Sequence, residues 1–124
     1  MRSFFVLVSL SILFISCGRE IKNVSYKNDI KPIINESCLD CHNNDQQQGG
    51  LNFSSYDSLI NAKYLNRPQP VIIKGDASQS RFYIAVHSTK PAIRMPPENF
   101  GYDRLGDREI ETIKVWINEG AKNN

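Results

Sequence analysis

Apolar residues are spaced along this chain in more than one way, and each spacing predicts a different element. Phe4 to Ile15 is an apolar run broken only by Ser9 and Ser11 and preceded by the charge of Arg2. A positive start and a short apolar stretch make an export signal, the run being shorter than the ~20 residues that cross a bilayer as a helix. Beyond residue 25 the apolar positions fall on single faces. Ile30, Ile33 and Ile34 lie at i, i+3 and i+4 and predict a short helix, with Pro32 in its first turn, where a missing N–H leaves nothing unsatisfied. Ser54 or Ser55 is placed to cap a helix over Tyr56 to Ala62, with Asp57 three after Ser54 to return a hydrogen bond or favour the positive end. Asp76 is a good cap for one continuous helix from Ala77 to about Val86, whose Phe82, Ala85 and Val86 share a face. The strongest pattern is Asp107 to Gly120: Ile110, Ile113, Trp116 and Ile117 line one face, acids occupy the first turn and Gly120 terminates. Trp116 and Ile117 suit either a cofactor edge or a crossing with the helix at Ile30.

The intervening segments are irregular. Asn43 to Gly50 has loop composition, and Asn66 to Pro70 is forced into an extended passage by its prolines. Val71 to Ile73 is too short a run to build a sheet on. Three prolines between Pro91 and Phe100 make that segment a stiff loop. The predicted fold is therefore all-α, built from three to five short helices.

With 124 residues, 40% of them hydrophobic and 23% charged, the chain has room for one ordinary globular domain. Fifteen Lys and Arg are scattered among thirteen Asp and Glu, a net charge of +2 with no basic stripe, which argues against nucleic acid as a partner. The apolar run ends at Ser16-Cys17, a small residue before a cysteine. That junction resembles a bacterial lipobox, although Phe14 stands where leucine is usual and Leu13 lies one place too early. The expected organisation is a lipoprotein signal peptide over 1–16, lipidation at Cys17, a tether over 17–25, and one domain over 26–124 held on the periplasmic side of a bacterial membrane. Acylation of Cys17 would leave two cysteines, Cys38 and Cys41, in the folded body.

Those two stand in Cys38-Leu39-Asp40-Cys41-His42. Covalent haem attachment uses two thiols on one face of a helical turn and a histidine beside the second, and this pattern supplies all three. Three other uses of the same residues stay open. A zinc site would have only Cys38, Cys41, His42 and His87 to draw on. A thioredoxin-like dithiol would need the alternating βαβ pattern that is missing here. A structural disulfide would leave His42 as a coincidence. For a haem, the second axial ligand is expected from Met95, the one methionine besides Met1, set in Arg94-Met95-Pro96-Pro97. A methionine that only fills a core rarely sits in a proline-rich loop with polar flanks. His87 is the competing ligand. Arg94 or Lys90 is placed to face a haem propionate, but a loop cation is more often simply solvated.

Taken together, the Cys38 to His42 motif, Gly49-Gly50-Leu51-Asn52-Phe53-Ser54, Ile73-Lys74-Gly75-Asp76 with Ser80, Met95-Pro96-Pro97, and Glu109-Ile110, Ile113, Trp116-Ile117 and Gly120-Ala121 resemble the planctomycete-type cytochrome c domain. The resemblance spans about Tyr26 to Ala121. It departs at Lys63 to Pro70, where the family has a glycine-rich stretch, and at Phe82, where leucine is frequent. It implies a class I cytochrome c-like fold around one covalently bound haem c, with His42 and Met95 as axial ligands. The function it implies is an electron carrier for redox protein partners rather than an enzyme. The alternatives are a haem enzyme or gas sensor with an open iron position, and a non-haem lipoprotein with a zinc or disulfide site at Cys38 and Cys41.

Overall fold

The computed structural model describes residues 18–124, so the expected signal peptide and Cys17 lie outside the described residues. Four α-helices form, α1 (Lys31–Ser37), α2 (Tyr56–Asn61), α3 (Arg81–His87) and α4 (Asp107–Asn118), and no strand occurs among the described residues. The all-α expectation holds.

The first helix carries an extension that periodicity did not foreshadow. A π-helical turn, Tyr26–Ile30, runs directly into α1, with the Lys31 N–H reaching back five residues to the Tyr26 carbonyl. This widening falls just before Pro32, which has no N–H to donate to the preceding turn. Ser25 caps the turn by accepting from the Asn28 N–H at 3.2 Å. The end of the 17–25 segment is already part of the fold. Val24 is buried, and the Glu119 carboxylate at the end of α4 accepts from the N–H groups of Asn23 at 2.7 Å and Val24 at 2.9 Å. Sequence composition reads these residues as polar linker because their partner lies almost the whole chain away.

Ser55 is the cap of α2, and Ser58 rather than Asp57 returns the bond: the Ser58 N–H donates to Ser55 Oγ at 3.1 Å and the Ser55 N–H to Ser58 Oγ at 2.9 Å. The expected continuous helix from Ala77 to Val86 is broken in two. Asp76 caps as expected, accepting from the Gln79 N–H at 3.1 Å, but it caps a 3₁₀ turn, Ala77–Gln79, and α3 starts afresh at Arg81. The break lies at Ser80, which is wholly buried and whose hydroxyl bonds back to Ile73 and Asp76 instead of letting the backbone stay helical. Val71 and Ile72 are buried without forming a strand. The Val71 N–H donates to Ala62 at 2.8 Å and its carbonyl accepts from Phe82 at 3.0 Å, pinning this segment between α2 and α3.

Helix α4 forms as its stripe requires and ends at Gly120, whose φ of +100° suits glycine, while the Ala121 N–H closes on the Trp116 carbonyl at 2.8 Å. Trp116 is fully buried, its ring 5.9 Å from that of Tyr26 and its Nε1–H donating to the Lys122 carbonyl at 3.0 Å. Of the two roles open to Trp116, the structure shows the helix crossing: α4 packs on the Tyr26–Ile30 turn and on α3.

Candidate functional site

The end of α1 fixes the first part of the site. The N–H of Cys38 donates to the Ile34 carbonyl at 2.9 Å, and those of Cys41 and His42 both turn back on the Cys38 carbonyl, at 3.2 and 3.0 Å. The chain is thus wound tightly through Cys-x-x-Cys-His, which keeps both thiols and the imidazole near one another. The Gln48 N–H donates to the Cys41 carbonyl at 3.1 Å and the Phe53 N–H to the His42 carbonyl at 2.8 Å, so the following loop folds over the motif. That loop closes tightly at Gly50, whose φ is +77° and where a Cβ would lie 2.8 Å from Leu65 Cγ.

Met95 arrives from the proline loop, which is held to α3 by the Met95 N–H donating to the Ala85 carbonyl at 3.0 Å. The loop is not featureless: it contains a 3₁₀ turn, Glu98–Phe100. Cys38, Cys41, His42 and Met95 all line one cavity of about 480 Å³, within the ~300–1,000 Å³ usual for ligand and cofactor pockets. Phe53, Phe82, Val71 and Val86 give it an apolar wall. Met95 is 40% exposed, on the side open to solvent.

Burial sets the protonation of these groups. It pushes the Cys38 thiol up to about 12, with the neighbouring Cys41 adding to the effect, so Cys38 stays a thiol. Burial also lowers His42, and hydrogen bonding to the backbones of Leu51 and Gln48 opposes it only in part. His42 Nδ1 is buried without a well-formed hydrogen bond, and its ring lies 4.8 Å from that of Phe53. A neutral imidazole and a neutral thioether facing one apolar cavity are the donors a low-charge metal macrocycle takes, and two free thiols beside them complete the set. The residues fit a covalently held haem.

The other candidates are placed elsewhere. His87 ends α3 exposed, its ring stacked 5.3 Å from Tyr83, and does not line the cavity; neither do Trp116 and Ile117. Cys38 and Cys41 are both free rather than joined in a disulfide, and no group of three or more His, Cys, Asp or Glu is arranged to hold a metal ion among the described residues. Lys90 is exposed. Arg94 is buried, but its guanidinium does not line the cavity. Nη2 donates to the Tyr102 carbonyl at 2.6 Å and Nη1 pairs with Glu98 at 3.1 Å.

Sequence reasoning did not single out Tyr102 or Arg81, which both line the cavity. The Tyr102 hydroxyl donates to Asp40 Oδ2 at 3.1 Å, and that bond holds the phenol above its ordinary value. No local pattern marks either residue, because the role of Tyr102 depends on its loop meeting the turn at Asp40 and that of Arg81 on where α3 begins.

Residues 38–99, half of the chain, match the family model described as Planctomycete cytochrome C. No curated protein and no solved structure matches the chain.

Proposed function

Because the chain belongs to the planctomycete cytochrome c family, a class of haem-binding electron-transfer proteins, we propose that it is a single-haem electron carrier. In this reading Cys38 and Cys41 attach the haem and His42 and Met95 are its axial ligands. The observation that carries the proposal is that these four side chains line one apolar cavity. The haem supplies a reversible one-electron couple. The protein's part is to hold that couple in place and shield it. The tight turn after α1 keeps Cys38, held as a thiol by burial, close to Cys41, and these two thiols would form the thioether bonds. His42, kept neutral by burial, offers its lone pair. Met95, which lines the same cavity, would hold the iron by its thioether and so leave electron exchange as the chemistry. A soft thioether favours the ferrous state and raises the potential relative to a bis-histidine pair.

The carrier is further proposed to be exported, anchored through lipid at Cys17 to the periplasmic side of a membrane, and to exchange electrons with redox proteins there. No helix among the described residues is long and apolar enough to cross a bilayer.

The test is expression with a cytochrome c maturation system, followed by a denaturing gel stained for haem and by spectra of the oxidised and reduced protein. Haem staining that survives denaturation and a sulfur-to-iron absorption band are expected. Met95→Ala should abolish the band, lower the potential and let carbon monoxide bind the reduced iron. Ready carbon monoxide binding by the unaltered protein would favour the sensor or enzyme reading instead. An unaltered protein that lacks the band, with a spectrum unchanged in Met95→Ala, would return the ligand question to His87.

A further inference from the structure

Building on the ligand assignment above, we propose that Tyr102 is a positioning residue: its hydrogen bond to Asp40 straps the Met95 loop to the haem-attachment turn and keeps the thioether from swinging out. Asp40 lies inside Cys-x-x-Cys, two residues before His42. The Tyr102 hydroxyl reaches its Oδ2 at 3.1 Å, so one bond connects the segment bearing the proximal ligand to the segment bearing the distal one. Tyr102, Asp40 and Met95 all line the same cavity.

The strap works because Tyr102 is itself fixed to the loop. Arg94, 8% exposed and adjacent to Met95, donates from Nη2 to the Tyr102 carbonyl at 2.6 Å and pairs through Nη1 with Glu98 at 3.1 Å. A single buried cation therefore draws both ends of the 94–102 segment together. Met95 is then held from two directions, by its own N–H on the Ala85 carbonyl of α3 and by this closed loop tied to Asp40. Such restraint matters because a neutral thioether binds iron without charge assistance, so competition from outside ligands depends on how easily its loop departs.

The experiment titrates the oxidised, haem-loaded full chain with imidazole, which competes with Met95 for the iron, and follows loss of the sulfur-to-iron band. Removing one solvent-accessible hydrogen bond from the Met-bound state should tighten apparent imidazole binding by about two- to fivefold in Tyr102→Phe and in Asp40→Ala. The double variant should be no more affected than either single one, since both remove the same bond. Asp40→Asn keeps an oxygen acceptor and should recover most of the wild-type affinity. Wild-type affinity in Tyr102→Phe, or fully additive effects in the double variant, would overturn the strap while leaving the ligand pair intact. A wild-type protein with no sulfur-to-iron band would overturn the Met95 assignment itself, and the strap with it.

Discussion

Replacing Ser80 with alanine tests whether the break between the Ala77–Gln79 turn and α3 is held by one buried hydroxyl. Ser80 is 0% exposed; its Oγ accepts from the Ile73 N–H at 2.8 Å and lies 2.7 Å from the Asp76 carbonyl and 3.2 Å from that of Ile73. One hydroxyl hydrogen serves chiefly the nearer carbonyl. In Ser80→Ala the Ile73 N–H loses its acceptor, a cost of about 1–3 kcal/mol, and the lost bond to Asp76 adds about 0.5–1.5 kcal/mol. The sum, about 1.5–4.5 kcal/mol, is a large part of the ~5–15 kcal/mol that holds a small domain together. For a domain of roughly 100 residues, where each kcal/mol moves Tm by about 4–8 °C, the melting point should fall by about 6–36 °C. Urea unfolding of the haem-loaded protein measures the difference directly. Ser78→Ala is the control: that hydroxyl donates at 2.6 Å to Asp76 on the exposed surface, and its loss should stay within about 0.5 kcal/mol. If Ser80→Ala also costs less than about 0.5 kcal/mol, the hydroxyl does not hold the break and the reasoning fails. The Met95 loop should loosen in the same variant, because Ala85, on which it hangs, belongs to α3.

Trp116→Phe should cost about 2–4 kcal/mol in the same assay, through the smaller ring and the lost bond to the Lys122 carbonyl, without shifting the haem spectrum, since Trp116 lies outside the cavity. Tyr26 offers a test against pH. Burial, with Tyr56 beside it, raises its phenol above the ordinary value, so the folded protein keeps a proton that the unfolded chain releases. Its stabilising contribution is therefore intact below about pH 10 and is lost as pH rises through the folded value. Tyr26→Phe should flatten the alkaline fall in stability measured by urea titration, and an unchanged slope would show that other groups cause it.

The features legible in the sequence are those carried by local spacing. The α4 stripe needs only the order of Ile110, Ile113, Trp116 and Ile117, and the Cys38 to His42 motif needs only five consecutive residues. Met95 could be picked out because methionine is rare in this chain and its loop is proline-rich. What could not be read depends on partners distant in the chain. The Ser80 break forms because a buried hydroxyl competes with the helix for backbone groups at Ile73 and Asp76, and helical periodicity through Phe82 and Val86 gives no hint of it. Val24 reads as linker until Glu119 is brought against it. Arg94 looks like a solvated loop cation until Tyr102 and Glu98 close around it.

The Glu119 clamp bears on how this protein would meet other molecules. With Ile21 packed on the core and Asn23 and Val24 held by that carboxylate, the leash from Ile21 back to Cys17 is four peptide steps, a reach of about 14 Å when fully extended. If Cys17 carries the lipid as proposed, the domain would skim the headgroups instead of roaming the compartment. Electron delivery would become a lateral search over a membrane surface, limited by how often two anchored molecules drift together.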